Sequence, residues 1–568
     1  MYKKYLLITF IFSSAAFTHA EDQVSQQQTR DYLSQKQQID QLTQSATPFI
    51  QLQQTKVDSS YPWLQKEPIC FGISSLEVDV PTTHPSIKTS DFNRIFKELK
   101  YSDNKVLGRC IGEKGLSGLV NYINERLVQL GYVSIQVIVP EQDLATGHLR
   151  LTLIPGLIGE IRLKNSKNQT LNYRLPMHAG DILNIRQLEQ ILETFARLQG
   201  MQTSFDILPS QKSGEDAGYS DVEIVWEIQE RNFLTVGLND AGSKSSGKYQ
   251  GYASYALENP LNFADSLFVY YTQSLNDWNV DHTDFNNVFV SYEVPYQNWL
   301  FNINASQYTN TQELEGFDQW FDYKTINKDF NLQAQRELSR SKSYRLSGYA
   351  QLYRKSASSF IEDVEIEVQR KRTAGWELGS KYQLRLGQQT INAQFSYRKG
   401  TGILGASQTA EDITGEGDSR AGIWNAAVQY AVPWQTANNN FMYQLNWQGQ
   451  WSPQKVVSQE TFNIGGRYSI RGYRPEQSIV GSNGHYVQQT LHWLNPLPNF
   501  SLYAGLDQGL VTGEGTQYYS DRYLLGSVIG LRTQFKHING DFFVGRGLVA
   551  PQHIQKDVIT GFNLSFNY

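Results

Sequence analysis

The chain has 568 residues, and its 50 Lys and Arg nearly balance its 55 Asp and Glu, which leaves a net charge of −5. This mild charge argues against a nucleic-acid binder, and the length predicts about three or four domains. A mean hydropathy of −0.46 does not exclude a membrane protein, because a barrel with a wet lumen needs apolar side chains only on alternate residues.

The N-terminus has the pattern of a secretory signal peptide. Lys3 and Lys4 precede an apolar run over residues 5–17, and small residues follow up to Ala20. The run is shorter than the roughly 20 apolar residues of a spanning helix, so a membrane anchor is the weaker alternative. We expect residues 1–20 to be cleaved off, and the mature chain to leave the cytoplasm.

Residues 21–45 are rich in Gln and permit a helix, but their apolar positions form only a ragged stripe. Such a stripe is too weak for a core helix and is acceptable for one that lies in a watery channel. A disordered Gln-rich tail is the alternative. Residues 46–66 contain Pro48 and Pro62 and are predicted to be a linker.

Two α+β modules are predicted next, over residues 67–155 and 156–229. Each shows a strand, a helix at 3.6-residue spacing and two alternating strands, which is an internal repeat. Cys70 and Cys110 both fall in the first module. Since an exported chain meets an oxidising compartment, we predict a structural disulfide between them. Two unrelated buried thiols are the alternative.

Residues 230–568 contain about sixteen alternating segments near the ten residues of a tilted spanning strand, for example Ile326–Leu338. Connections after even-numbered segments look short, and Pro260, Pro295, Pro433 and Pro496 are expected to open them. The pattern is typical of an antiparallel membrane barrel with both ends in the periplasm. A large soluble β protein is the alternative.

The last segment alternates strictly and ends on an aromatic residue. Phe562, Leu564, Phe566 and Tyr568 share one face. This arrangement resembles the C-terminal signal by which outer-membrane barrels are handed to the barrel-assembly machinery.

Three short runs in the first module carry a family resemblance: Gly131–Val133, Pro140–Leu144 and Ile154–Gly156. They resemble the first POTRA domain of two-partner secretion transporters, which export filamentous haemagglutinin, Serratia-type haemolysin or contact-dependent growth-inhibition toxins. The resemblance implies a plug helix, a linker, two periplasmic POTRA domains and a 16-stranded outer-membrane barrel. It also implies a partner of the TpsA type, whose N-terminal secretion domain binds the POTRA domains.

A second resemblance lies in the longest predicted external loop. Ile470, Arg471, Gly472 and Tyr473 match the [VI]-R-G-[FY] tetrad of the sixth extracellular loop in the Omp85 superfamily. Residues 505–509, Gly-Leu-Asp-Gln-Gly, resemble the superfamily's F-x-D-x-G strand motif. Glycine replaces the usual aromatic residue at position 505, which weakens the packing part of the analogy.

Alternation places Asp507 on the lumen face of its strand, because Leu502, Leu506 and Leu510 occupy the opposite face. A guanidinium matches a carboxylate bidentately, so Arg471 is predicted to tie the loop tip to the wall. Gly472 and Gly509 would permit a close approach. In a wet lumen the pair would contribute about 1 kcal/mol, and a few times more if water is excluded. A solvated arginine and an unrelated aspartate are the alternative.

No metalloprotease, nucleophile-elbow, Walker A or zinc-type spacing is present, so we expect no enzyme, catalytic residue, metal or cofactor. The resemblance implies export driven by folding of the passenger outside the cell, by a monomer embedded in outer-membrane lipid, with no nucleic acid bound. Two alternatives are an outer-membrane protein insertase of the same superfamily and a passive porin. Whether the passenger is a haemolysin, an adhesin or a toxin stays open.

Overall fold

The computed structural model describes residues 24–42, 61–79, 92–164, 174–211, 218–275, 283–316, 319–517 and 519–568. The predicted signal peptide lies outside these residues. Helix α1 spans residues 24–42 and lies inside a barrel formed by the C-terminal part of the chain. None of the helices in the described ranges is long and apolar enough to cross a bilayer.

The first α+β module follows in chain order. Its central strand pairs in parallel with one neighbour and antiparallel with the other. Alternate residues Leu149, Leu151 and Leu153 of that strand are buried, as are residues at helical spacing such as Leu119 and Ile123. The elements are β1 (Phe71–Gly72), β2 (Ser75–Asp79), α2 (Asn93–Tyr101), β3 (Cys110–Ile111), α3 (Glu113–Gln129), β4 (Gln136–Ile138) and β5 (His148–Ile154), with sheet order β2-β5-β4.

The second module repeats this arrangement. Its central strand again has one parallel and one antiparallel neighbour. Leu188, Ile191 and Phe195 project from one helix face onto Val222 and Ile224 of the sheet. The elements are β6 (Gly156–Lys164), α4 (Ile185–Ala196), β7 (Met201–Pro209) and β8 (Gly218–Ile228), with sheet order β6-β8-β7. The internal repeat predicted from the sequence is therefore confirmed.

Sixteen long antiparallel strands close into a barrel, in which the last strand pairs with the first. This confirms the predicted fold class. The first eight are β9 (Asn232–Asn239), β10 (Gln250–Glu258), β11 (Ser266–Ser274), β12 (Asp284–Tyr296), β13 (Trp299–Glu315), β14 (Trp320–Arg340), β15 (Tyr344–Ile361) and β17 (Lys371–Leu386), with the two-residue strand β16 (Val364–Glu365) in a loop.

The remaining eight are β18 (Gln389–Thr401), β19 (Gly422–Thr436), β20 (Asn439–Trp451), β23 (Asn483–Leu497), β24 (Phe500–Thr512), β25 (Tyr523–Phe535), β26 (Ile538–Val549) and β27 (Val558–Asn567). The short helix α5 (Ala410–Thr414) lies in the loop before β19. Two short strands, β21 (Phe462–Ile464) and β22 (Ile479–Gly481), pair with each other within the longest loop.

Connections alternate between short turns and longer loops around the barrel. Pro260 lies in a connection, but the expectation for the other three prolines is wrong: Pro295, Pro433 and Pro496 lie near the ends of β12, β19 and β23. The turns that follow them are so tight that the strands continue past the prolines. A proline lacks the N–H of a ladder hydrogen bond and is tolerated near a strand end.

Candidate functional site

The loop between β20 and β23, residues 452–482, folds into the barrel instead of away from it. Its hairpin of β21 and β22 carries a tip in which Ile470 and Tyr473 are completely or almost completely buried. The tip joins a cluster of apolar residues that includes Tyr486 and Leu524 of the wall. Burial of these side chains fixes the tip against strands β23 to β26.

Arg471 lies against Asp507 at this tip. Its Nε donates to one carboxylate oxygen at 2.6 Å, and its Nη2 donates to the other at 2.7 Å. The backbone N–H of Arg471 donates to the same carboxylate at 2.9 Å, and Nη2 also reaches the Thr490 hydroxyl at 2.7 Å. The geometry is the bidentate one expected of a guanidinium and a carboxylate.

Both members of this pair are largely buried. The Asp507 side chain is 0% exposed and that of Arg471 is 13% exposed. Removing one partner of a buried ion pair leaves an uncompensated charge and typically costs about 3–5 kcal/mol. The Asp507 carboxylate is thus shielded from solvent, and its pair with Arg471 can hold the loop in one position.

Glycines in the wall make room for the tip. A Cβ at Gly505 would lie 2.5 Å from Nη2 of Arg471, and one at Gly526 would lie 2.0 Å from the Arg471 carbonyl oxygen. A Cβ at Gly547 would lie 2.4 Å from the ring of Tyr473. Glycine at position 505, where the superfamily motif has an aromatic residue, thus leaves space for the guanidinium of Arg471. Gly526 and Gly547 were not singled out from the sequence, because nothing near them in the chain marks them as facing a loop.

The other tetrad residues also contact the wall. The hydroxyl of Tyr473 lies 2.8 Å from the carbonyl oxygen of Leu525. Gly472 has φ = +102°, a conformation that suits glycine, and a Cβ there would lie 2.6 Å from a backbone carbonyl oxygen. A Cβ at Gly509 would lie 3.1 Å from the Cδ1 atom of Ile470. The structure brings the predicted loop and wall residues together.

Two further charged residues of the same loop, Glu460 and Arg467, pair with the wall, and the sequence analysis does not predict these contacts. Glu460 accepts from Lys355 at 2.6 Å and from Arg398 at 2.9 Å on the opposite wall. Arg467 contacts Asp240, the residue after β9. These partners are scattered along the chain in no recognisable motif, so no local pattern indicates them.

Helix α1 lies between this loop and the wall. The Tyr32 hydroxyl donates to Asp329 at 2.6 Å, and the Gln38 amide donates to the Tyr270 hydroxyl at 2.9 Å. The Gln37 amide donates to the carbonyl oxygen of Asn463 in β21 at 2.9 Å. The helix is held largely by polar contacts, which explains why its apolar stripe is ragged.

The remaining predicted site residues lie outside the lumen. A disulfide joins Cys70 to Cys110, with their Cα atoms 5.2 Å apart, and ties the start of the first module to the strand before α3. In β27, Leu564 and Phe566 are exposed on the outer face, and the exposed Tyr568 follows the strand. Phe562 is half-buried and stands beside the Arg467 contact.

Residues 218–533 match the family described as haemolysin secretion/activation protein ShlB/FhaC/HecB. The chain belongs to this family. Residues 91–156 match the POTRA domain of the ShlB type, and residues 157–209 match another POTRA domain model. As a ShlB/FhaC/HecB family member, the protein is a two-partner secretion transporter of the outer membrane, and its POTRA domains lie in the periplasm.

Individual relatives are similar over nearly the whole chain. The outer membrane transporter CdiB-2 of Burkholderia pseudomallei is 28% identical, over 98% of this chain and 95% of the relative. The outer membrane transporter CdiB of Escherichia coli is 26% identical, over 98% and 91%. The solved structure of CdiB from Acinetobacter baumannii is 30% identical with a TM-score of 0.84, covering 96% of this chain and 99% of that one. Members of the ShlB/FhaC/HecB family are transporters rather than enzymes.

Proposed function

We propose that the protein secretes a TpsA-type partner of the contact-dependent growth-inhibition class. The observation that carries this choice is the similarity to CdiB transporters, which extends over the POTRA domains and the barrel alike. Selection of a passenger involves the periplasmic modules, whereas passage involves the barrel. Similarity confined to the barrel would have left all three passenger classes equally open.

The POTRA domains are proposed to capture the unfolded passenger by strand addition. In the second module β7 pairs with β8 on one side and forms the edge of its sheet. Near its C-terminal end both faces of this strand carry an exposed apolar side chain, Ile207 on one face and Leu208 on the other. An extended peptide can add to such an edge through main-chain hydrogen bonds, while side-chain contacts give selectivity.

Passage then requires the lumen to be cleared. Helix α1 and the loop of residues 452–482 both lie inside the barrel, so the helix has to leave and the loop has to rearrange. Sixteen strands enclose a lumen wide enough for an aqueous channel. We propose that the chain takes no part in catalysis, that no nucleotide is hydrolysed, and that folding of the passenger outside the cell drives export.

The Arg471–Asp507 pair is proposed as the lock that holds the loop in the closed barrel. Biogenesis is proposed to follow removal of residues 1–20, and strand β27 together with the terminal Tyr568 is proposed as the signal to the barrel-assembly machinery. A monomer in lipid is the proposed product. Residues 21–45 are proposed as the plug segment, 46–66 as the linker, 67–155 and 156–229 as the POTRA domains, and 230–568 as the barrel.

The proposal is tested by examining the gene next to the one for this chain and taking the large exported protein that we expect it to encode as the partner. Cells that express both are grown with target cells lacking immunity, and surface exposure of the partner is measured with and without this transporter. Transporter-dependent surface display together with growth inhibition of the targets is expected. Display without inhibition would contradict the toxin class, and absence of display would contradict the transport of that partner.

A further inference from the structure

A cavity of ≈ 510 Å³ lies in the lumen between Arg471 and the short turns of the barrel. Gln41 and Leu42 at the end of helix α1 form one side of it, and residues of β19, β20 and β23 form the other. Its volume falls in the range of sites that bind small ligands or short segments, about 300–1,000 Å³. A chain that enters from the periplasmic side meets this cavity before it meets the loop tip.

Amide side chains supply most of the polar lining, among them Gln429, Gln444, Asn446 and Gln488. Each amide has both a donor group and an acceptor oxygen, so together they can satisfy N–H and C=O groups alike. Aromatic rings, including Tyr503, add flat apolar surface. A lining of this kind matches the alternating donors and acceptors of an extended polypeptide backbone.

The charged groups of the cavity are already neutralised within the barrel. Arg471 pairs with Asp507, Arg467 contacts Asp240, and Arg532 lies 3.1 Å from Asp541. A ligand that depends on charge, such as an anion or a nucleic acid, would have to break one of these pairs. The lining therefore favours an uncharged polar occupant.

Arg471 also offers a contact to the cavity. Its Nε and Nη2 are engaged with Asp507, Thr490 and a backbone carbonyl, whereas its Nη1 makes no hydrogen bond within the described parts of the chain. A main-chain carbonyl of an occupant can accept a hydrogen bond from Nη1. An occupant of the cavity would then lie directly against the residue whose Nε and Nη2 hold the loop tip.

We propose that this cavity, here called the vestibule, binds an extended, uncharged polar segment of polypeptide before the loop moves. The inference rests on the proposed function, since it assigns a binding site on the path that the passenger takes through the barrel. The bound segment lies against the amides of β19 and β20 and reaches Arg471 with its backbone. The vestibule thereby favours passengers whose leading segment is rich in residues such as Asn, Ser and Gly.

The test uses the full chain in lipid nanodiscs, with a photoreactive residue at position 429. The probe is a labelled peptide of about ten Asn, Ser and Gly residues, which spans about 33 Å when extended. Ala427→Trp fills the vestibule, because Ala427 lines it. Ala426→Trp is the matched control, because Ala426 lies beside Phe395 on the lipid-facing side of the same strand.

Saturable crosslinking is expected, with a loss of about ten-fold in Ala427→Trp and none in Ala426→Trp. Heat-dependent gel mobility verifies that both variants are folded. The proposal is overturned if crosslinking does not saturate, if both variants lose it equally, or if maltohexaose or a Lys-rich peptide competes as well as unlabelled probe. Partner secretion without probe crosslinking would contradict binding in the vestibule and would leave the proposed function intact. Failure of a folded barrel to secrete the partner would instead contradict the proposed function.

Discussion

Arg467 of the lumenal loop contacts Asp240 at the seam where the barrel closes. The same carboxylate accepts a hydrogen bond from the backbone N–H of Phe562 at 2.8 Å, and Nη1 of Arg467 donates to the Phe562 carbonyl oxygen at 3.1 Å. One loop residue therefore bridges the end of β9 and the last strand. The ladder between β9 and β27 covers Thr235 to Asn239, with a further pair of backbone hydrogen bonds between Leu234 and Tyr568, whereas that between β9 and β10 starts at Asn232.

Arg467→Ala is expected to weaken the closed barrel. The substitution leaves Asp240 buried without its guanidinium, at a cost of about 3 kcal/mol. The temperature at which the folded form loses its faster gel mobility should fall. Arg474→Ala is the control, since Arg474 lies exposed in the same loop. Equal melting of the two variants would show that the seam does not depend on the contact.

Removing wall contacts of helix α1 is expected to open the channel. The double variant Tyr32→Phe, Gln38→Ala loses the hydrogen bonds to Asp329 and Tyr270. Since one of them ends on a carboxylate, the combined loss is about 3 kcal/mol, which is roughly a 100-fold shift toward the displaced helix. Ion conductance in planar bilayers measures this shift.

The control for this experiment is Gln26→Ala, because Gln26 lies on the same helix and is exposed. Its conductance should equal that of the unsubstituted protein. If the double variant conducts no more than Gln26→Ala, these contacts do not retain the helix in the lumen.

Glu193 of α4 joins the second POTRA domain to the barrel. It accepts from Arg340 at 3.0 and 2.5 Å and from Arg345 at 2.7 Å, and its side chain is 3% exposed. Both arginines belong to the strands on either side of a short turn. The contact fixes the angle of the module relative to the barrel rim.

Glu193→Gln is expected to loosen this angle, because Arg345 loses the carboxylate with which it pairs and Arg340 keeps only its pair with Glu337 on the barrel itself. Spin labels at the exposed positions Gln202 and Asn438 report the distance between module and rim. A broader distance distribution is expected for Glu193→Gln. Glu160→Gln serves as control because its pair with Arg162 is exposed, and identical distributions in both variants would refute the role of Glu193.

Glu67 caps α3 in the first POTRA domain. Its carboxylate accepts from the backbone N–H groups of Gly112 at 3.1 Å, Lys114 at 3.1 Å and Gly115 at 2.7 Å. Desolvation acts to raise the pKa of Glu67, but the hydrogen bonds from Gly115, Lys114 and Gly112 outweigh it, so that this pKa is lower than usual. The negative charge also suits the positive end of the helix.

A depressed carboxyl pKa contributes stability that is present above the unfolded-state pKa and is lost as the pH falls through the folded-state pKa. Glu67→Gln should therefore accelerate hydrogen exchange at residues 112–115 near neutral pH. The difference from the unsubstituted protein should shrink in acid, where both side chains are neutral. A difference that persists unchanged into acid would contradict the charge-dependent cap.

The sequence predicted the position of Asp507 well because alternation in a strand assigns faces unambiguously. Leu502 and Leu506 are exposed on the outer side, as the alternation required. Strand length was harder to predict: the segment expected at Ile326–Leu338 is part of β14, which spans Trp320–Arg340. The apolar alternation that reveals a membrane strand ends where the strand extends beyond the bilayer.

Contacts between distant elements were not predictable from local patterns. Glu460 and Arg467 meet their partners only because the loop folds inward, and residue spacing carries no information about that path. From the sequence, glycine at position 505 predicts only a weakened packing contact. In the structure, the absence of a Cβ at this glycine leaves room for the guanidinium of Arg471. A Cβ there would lie 2.5 Å from Nη2 of Arg471.

Secretion by Arg471→Ala at normal surface abundance tests the central claim most directly. The substitution removes the loop's bidentate contact with Asp507, so the loop loses its defined closed position while the sixteen-stranded wall stays assembled. We predict that gel mobility and surface abundance stay normal and that partner secretion falls about ten-fold, the equivalent of about 1.4 kcal/mol. Unimpaired secretion by an equally abundant Arg471→Ala barrel would contradict the lock.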